Sequence, residues 1–308
     1  MDDKKYELII VGTGPAGLTA SIYASRYHIR HLVLGTIFGG TITLASEVEN
    51  YPGFPHISGP ELGQKFLTHA QKLGATVKNE EVIEMQKEKD GFLIRTRENK
   101  YQTKALIIAT GTERRHLGIP GEGKYLGRGV SYCSTCDAPF YREKIVAVVG
   151  GANAACMGAI HLAKFAKKVY LIYRRDRLRG EPAWVNQIKK EPKIEVIYNT
   201  NVTAILGDDN KVTHLKLDHP YQGKETLTAD GIFIEIGGIP MTTLAKTVGV
   251  KTDEDNFIIT NEMMITNIPG IFCAGDINSS RKHYQQVVIA AAEGATAALS
   301  AYKYLHEK

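Results

Sequence analysis

The stretch Tyr6-Glu7-Leu8-Ile9-Ile10-Val11-Gly12-Thr13-Gly14-Pro15-Ala16-Gly17 decides the fold. Its aliphatic run reads as a buried strand, its glycines as a turn, and the residues that follow to about Arg26 as a helix. Glycines spaced G-x-G-x-x-G between a strand and a helix form a dinucleotide fingerprint. Gly12 makes the tight turn, Gly14 lets the backbone approach a pyrophosphate, and Gly17 permits close helix packing, while the N-terminus of the helix supplies N–H groups to the anion. The next strand, His31 to Leu34, should end in an acid for the ribose hydroxyls. It ends in Gly35, so that contact falls to another group. Gly39-Gly40-Thr41 is a second flexible turn where a cofactor could lie close to backbone. A turn-rich segment, Glu47 to Phe54, contains Asn50, and an amphipathic helix runs from about Gly59 to Leu73. Strands around Val77 to Met85, Phe92 to Arg97 and Ala105 to Ile108 follow, closed by Ala109-Thr110-Gly111.

The same pattern recurs at Ile145 to Val149, where an apolar strand leads into Gly150-Gly151-Ala152-Asn153-Ala154-Ala155, a helix to about Phe165 and a strand from Lys168 to Ile172. Ala152 stands where a glycine would let backbone meet pyrophosphate. After the second strand, where an acid would select NAD, the chain has Arg174, Arg175 and Arg179, whose guanidinium groups suit the 2′-phosphate of NADP. Strands near Glu195 to Tyr198, Val212 to Leu217 and Gly231 to Ile236 complete this region, and Gly237 to Pro240 reads as a return connector. The chain then regains the first domain through Ile268 to Asp276, a strand ending in an acid, and a helix from about Gln285 to His306. The fold class is α/β, with two Rossmann-like dinucleotide-binding domains, residues 113–241 being inserted between 1–112 and 242–308.

Between the two fingerprints lies Tyr132-Cys133-Ser134-Thr135-Cys136-Asp137-Ala138-Pro139. Thiols three positions apart can share one side of a helical turn and close as a reactive disulfide, and an acid follows at once. Half a zinc site is the competing reading, but structural zinc needs four ligands, and the remaining cysteines, Cys156 and Cys273, stand alone. Both sit in apolar surroundings and read as inert core residues. The ten histidines show no ligand spacing, so no metal is expected. The chain has 308 residues with 43% hydrophobic and 23% charged, enough for two cores, and its net charge of +5 is spread along the sequence. A dispersed excess of this size does not point to nucleic acid. No apolar run is long and unbroken enough to span a bilayer, no signal peptide is visible, and a catalytic C-x-x-C suits a reducing compartment. A cytoplasmic protein without a membrane partner is expected.

Together these pieces make the chain resemble the low-molecular-weight thioredoxin reductases along essentially its whole length. The most specific are Glu49-Asn50-Tyr51-Pro52-Gly53, Cys133-Ser134-Thr135-Cys136-Asp137, Arg174-Arg175 with Arg179, and Gly275-Asp276. The resemblance implies a homodimer with an FAD domain in two segments around an NADPH domain, passing electrons from NADPH through FAD and the disulfide to a thioredoxin-like protein. It further implies that Asp276 contacts the flavin nucleotide, Cys136 faces the isoalloxazine, Cys133 attacks the partner's disulfide and Asp137 is the general acid. The implied FAD site comprises Gly12, Gly14, Pro15, Ala16, Gly17, Gly39, Gly40, Thr41, Asn50, Thr110, Gly111, Gly275, Asp276, Gln285 and Gln286. The implied NADPH site comprises Gly150, Gly151, Ala152, Asn153, Ala154, Arg174, Arg175 and Arg179. Four features depart from the family pattern: Ala152, the absence of acids in the helix after it, Gly238 with Met241, and Gln285. All bear on nicotinamide nucleotide handling, which leaves open a second reading with another donor such as a ferredoxin. A third reading is a flavin or nucleotide sensor with a regulatory disulfide and no catalysis.

Overall fold

The computed structural model describes residues 4–45, 47–282 and 284–306. They form two compact units, one comprising residues up to Glu113 together with those from Ile239 onward, the other Arg114–Gly238.

In the first unit the strands lie in the order Thr76–Asn79, His31–Gly35, Lys5–Val11, Lys100–Ile108, Gly91–Thr96, Val82–Glu88, and Ile271–Cys273 pairs with Lys100–Ile108 as a branch. The strands around Lys5–Val11 are parallel, with Ile9 opposite both Leu32 and Leu106. Alternation divides the aliphatic runs between two cores. Leu8, Ile10, Val33, Ala105 and Ile107 pack on one face, and Ile9, Val11, Leu32, Leu34, Leu106 and Ile108 on the other. Burial on both faces is why these strands read as unbroken apolar runs.

The strand expected around Val77 to Met85 is two strands. Thr76–Asn79 pairs parallel with His31–Gly35, and Val82–Glu88 pairs antiparallel with Gly91–Thr96. The break falls at Glu80, whose buried carboxylate accepts hydrogen bonds from Thr96 Oγ1 at 2.7 Å, Asn99 Nδ2 at 2.9 Å and Tyr101 OH at 2.8 Å. An acid fixed by three donors pins the chain where it leaves one strand neighbour for another.

The helix Pro15–Arg26 packs on the C-terminal helix Val287–His306 through small residues: Ala16, Ala20 and Ala24 against Ala290, Ala297, Ala298 and Ala301. A Cβ on Gly294 would stand 2.1 Å from the Ala16 carbonyl oxygen, so the two backbones touch. A Cβ on Gly275 would meet Ala16 Cβ at 2.8 Å. The end of the chain is thereby held against the fingerprint helix.

In the second unit five parallel strands lie in the order Ile194–Ile197, Lys168–Ile172, Ile145–Val149, Gly231–Ile234, Val130–Ser131. The helices Asn153–Ala163 and Pro182–Lys190 cover one face through Leu162, Trp184 and Ile188. The other face is covered by a three-stranded antiparallel sheet, Val202–Gly207, Val212–Tyr221 and Lys224–Thr228. Its first and last strands are not legible in the sequence. Two register shifts interrupt the alternation of Val202–Gly207, and Lys224–Thr228 buries Leu227 alone. Thr112–Arg114 and Gly238–Pro240, the two crossing segments, pair with each other. Among the described residues no helix is long and apolar enough to cross a membrane.

Because the backbones at Gly294 and Ala16 already touch, Gly294→Ala is expected to destabilise the fold by about 3 kcal/mol, the upper end of ordinary overpacking costs. Urea unfolding checks this. An unchanged midpoint would show that the helices are not in backbone contact.

Candidate active site

The fingerprint glycines of the first unit have separate jobs. Gly12 has φ +124°, and a Cβ there would lie 2.1 Å from the Ala109 carbonyl oxygen. A Cβ on Gly17 would lie 1.9 Å from the Gly12 carbonyl oxygen. Packing within the chain therefore requires glycine at both positions. At Gly14 it does not, since a Cβ would meet only Gly40 Cα, at an ordinary 3.7 Å. The open space over Gly14 fits close approach by a bound pyrophosphate. The second turn is tied to the first, because Gly39 N–H donates to the Thr13 carbonyl at 2.8 Å and Thr13 Oγ1 donates to the Ile37 carbonyl at 2.8 Å. Thr13 also explains the missing acid at the end of the second strand. A Cβ on Gly35 would meet Thr13 Oγ1 at 2.8 Å and Cγ2 at 3.0 Å, so no side chain fits there without displacing Thr13.

Other segments converge on this loop. Thr110 follows Ala109 against Gly12, and Thr110 Oγ1 donates to the Met241 carbonyl at 3.2 Å while Met241 N–H donates to the Gly111 carbonyl at 3.1 Å. Gly40 touches Gly14, Thr41 is exposed, and Gly275, at φ +84°, abuts Ala16. Gln285 Nε2 donates to the Asp276 carbonyl at 3.0 Å, and Asn50 Nδ2 donates to Gln286 Oε1 at 2.9 Å. Residues from positions 12 to 286 thus form one connected set.

The second unit carries the disulfide, which joins Cys133 and Cys136 across a Cα–Cα distance of 5.3 Å. Cys133 caps the short helix Ser134–Asp137, and its sulfur accepts Cys136 N–H at 3.1 Å. Ser131 Oγ accepts Cys133 N–H at 3.0 Å, which holds the approach to the cap. Cys136 is exposed, and Cys133 and Asp137 are half-buried. Tyr132 OH donates to the buried Glu122 carboxylate at 2.6 Å and lies 2.5 Å from His116 Nδ1.

The second fingerprint follows the logic of the first. Gly150 has φ +145° and would put a Cβ 2.2 Å from the Glu235 carbonyl oxygen, and a Cβ on Gly151 would lie 2.5 Å from the Tyr173 ring. Ala152 and Ala154 are exposed, with Ala152 extended at the helix cap. Asn153 binds Glu181, its Oδ1 accepting Glu181 N–H at 2.7 Å and its Nδ2 donating to Oε1 at 3.1 Å. Arg174 and Arg175 are exposed. Arg179 is also exposed, but it is not the free arm that the sequence suggests. Its backbone N–H donates to the Gly151 carbonyl at 2.6 Å and its side-chain Nε to Tyr173 OH at 2.8 Å.

Comparison with known proteins bears on this geometry. Residues 6–294 match the family model described as pyridine nucleotide-disulphide oxidoreductase. A thioredoxin reductase of Listeria innocua is 40% identical over 308 residues, spanning 99% of this chain and 96% of that one. The chain belongs to this family, among the thioredoxin reductases. Two solved structures agree: the thioredoxin reductase of Lactococcus lactis, at 37% identity and TM-score 0.94 over 98% of this chain and all of that one, and that of T. acidophilum, at 38% and 0.92 over 97% and 98%. As a member of the family the chain is an FAD-dependent disulfide oxidoreductase.

Two buried acids of this reductase escaped the sequence reading. Glu293 lies in the C-terminal helix, where its Oε2 accepts Gly275 N–H at 2.8 Å and its Oε1 the Ser280 hydroxyl at 3.4 Å. Burial and the Glu293 charge raise the Asp276 carboxyl to about 6. A lone acid in Ala290-Ala291-Ala292-Glu293-Gly294 was the available signal. Glu235, read only as the continuation of a strand, lies under the disulfide helix with its side chain 9% exposed. Its carboxylate accepts Ser134 Oγ at 3.3 Å and pairs with Arg114 Nη1 at 3.2 Å. A Cβ on Gly158 would lie 2.8 Å from Ser134 Oγ and 3.8 Å from Glu235 Cγ. The helix without acids therefore leaves room for an acid from the sheet.

Burial raises the Glu235 carboxyl above its ordinary value, and Arg114 opposes that shift. A folded-state pKa above the unfolded one means that stability is fully present at low pH and is lost as pH rises through the folded value. Arg114→Leu removes the cation that opposes the shift and should deepen that loss, by on the order of 1–3 kcal/mol at pH 8 and by less at pH 5. Urea unfolding at the two pH values tests this. An equal loss at both would remove the pair from the balance of the site.

Proposed function

We propose that this chain is an NADPH-dependent thioredoxin reductase in which electrons pass from NADPH through FAD and the Cys133–Cys136 disulfide to a thioredoxin-like protein. The observation that carries the reading is the disulfide itself, capped by backbone N–H and partly exposed, in a unit that also holds a nucleotide fingerprint. Bound FAD supplies acceptance of hydride and delivery of two electrons to the disulfide. Gly12 to Gly17, Gly39 to Thr41, Asn50, Thr110, Gly111, Gly275, Asp276, Gln285 and Gln286 would hold it. Gly150 to Ala154 with Arg174, Arg175 and Arg179 would hold NADPH. The intact arginine cluster favours this donor over a ferredoxin.

Reduction of the disulfide consumes two electrons and one proton and leaves one thiol and one thiolate. Asp137, immediately after Cys136, is the proton donor of the reading. Cys133, whose sulfur already accepts the Cys136 N–H, is the attacking thiolate, because a hydrogen-bond donor on sulfur favours the charged form. Its attack on the partner's disulfide releases one partner thiolate and forms a mixed disulfide. Cys136 then displaces the second partner sulfur and restores the Cys133–Cys136 bond. Phe140, 73% exposed four residues beyond Cys136, supports docking of a protein with an apolar surface. The sequence likeness to the family supports a homodimer, and a catalytic disulfide suits the cytoplasm.

Cys133→Ser and Cys136→Ser are each expected to abolish NADPH-driven reduction of thioredoxin while NADPH still bleaches the flavin. A variant of either residue that keeps turning thioredoxin over would remove the pair from the mechanism, and a wild type that reduces no disulfide substrate would restore the sensor reading. Absorbance of the flavin and of a coupled thioredoxin assay measures both.

A further inference from the structure

Three guanidinium groups stand after the strand Lys168–Ile172, and they are not equivalent. Arg174 and Arg175 are exposed, with no side-chain hydrogen bond or ion pair among the described residues. Arg179 is held at two points, its backbone N–H on the Gly151 carbonyl and its side-chain Nε on Tyr173 OH. Its two terminal nitrogens take no partner among the described residues. A guanidinium bound through Nε is fixed in plane and presents the pair of terminal N–H groups that matches two oxygens of a phosphate.

Tyr173 is itself fixed. It is 5% exposed, its ring lies against Gly151 where a Cβ would come within 2.5 Å, and its backbone is held on both sides, Tyr173 N–H on the Ile197 carbonyl at 2.9 Å and Thr200 N–H on the Tyr173 carbonyl at 3.2 Å. One rigid ring therefore connects the glycine turn, where a nucleotide pyrophosphate would lie, to the arginine that would meet the 2′-phosphate. A free arginine would lose rotamer entropy on binding, much of which this arrangement has already removed.

We infer that Tyr173 is a specificity-determining positioning residue, whose hydroxyl holds Arg179 in the orientation that distinguishes NADPH from NADH. The inference rests on the NADPH reading above and adds a residue that touches neither the phosphate nor the reacting atoms. It also assigns the ring and the hydroxyl different work: the ring supports the glycine turn for either nucleotide, and the hydroxyl acts on the 2′-phosphate alone.

Binding of NADP⁺ and of NAD⁺ to the FAD-loaded protein, by calorimetry, tests this in wild type, Tyr173→Phe, Arg179→Ala, the double variant of those two, and Arg174→Ala/Arg175→Ala. Tyr173→Phe keeps the ring and should lower NADP⁺ affinity about fivefold, the net size of one ordinary hydrogen bond, with NAD⁺ unchanged. Arg179→Ala should lower it further, and the double variant should bind NADP⁺ no more weakly than Arg179→Ala, because the hydroxyl acts through that arginine. Equal losses for both nucleotides in Tyr173→Phe, no loss, or additive losses in the double variant would overturn the inference. If Arg174→Ala/Arg175→Ala and Arg179→Ala lose NADP⁺ affinity while Tyr173→Phe does not, the inference alone fails. Unchanged NADP⁺ affinity in all the arginine variants would sink the NADPH reading with it.

Discussion

Direct contact between backbones, possible only at glycine, is the constraint on which both units depend. In the first, Gly12 meets the carbonyl of Ala109, Gly17 the carbonyl of Gly12 and Gly294 the carbonyl of Ala16, all at distances that exclude a Cβ. These contacts bring the first strand, its helix, a strand about a hundred residues later and the C-terminal helix to one point. In the second, Gly150 meets the Glu235 carbonyl in the same way, while the neighbour of Gly151 is a side chain, the Tyr173 ring. Gly14 differs from these glycines, since the chain does not fill the space beside it. With φ −80°, Gly14 is required by neither packing nor backbone conformation, and close approach of a ligand accounts for it.

The chemistry is divided by charge as well as by geometry. Around the disulfide, Glu235 pairs with a partly exposed Arg114 under a helix whose cap is a sulfur, and Ser134 connects the pair to that helix. After the strand Lys168–Ile172 all three arginines are exposed, Arg174 and Arg175 with no side-chain partner among the described residues and Arg179 held through Nε by Tyr173. In the first unit, Glu293 secures the Gly275 amide, and burial, with the Glu293 charge adding to it, raises the neighbouring Asp276 carboxyl. Each case uses an acid or a hydroxyl to hold a group in place without itself being part of the chemistry that the fingerprints announce.

What the sequence revealed and what it hid follow from the range of the interactions. The strand-turn-helix units are local, so Lys5–Val11 with its glycines and Ile145–Val149 with its own could be read from consecutive residues. Cys133 and Cys136 pair within a single turn and were legible for the same reason. Glu235 acquires its role only when a strand end meets a helix about a hundred residues earlier in the chain, and no periodicity encodes that meeting. The irregular strands Val202–Gly207 and Lys224–Thr228 were lost because bulges and few buried residues remove the alternation that marks a strand. Gly35 was readable as a missing acid, but its cause, the Thr13 side chain in the space beside it, appears only in three dimensions.

The central claim is that the flavin and the Cys133–Cys136 disulfide form one electron-accepting chain, and an anaerobic reductive titration tests it most directly. With dithionite added stepwise and flavin absorbance recorded, the FAD-loaded wild type should take up about four electrons per chain, two on the flavin and two on the disulfide. The Cys133→Ser and Cys136→Ser variants should each take up about two. Wild type that is fully bleached after two electrons, with both thiols still unreactive to a thiol reagent, would contradict the account.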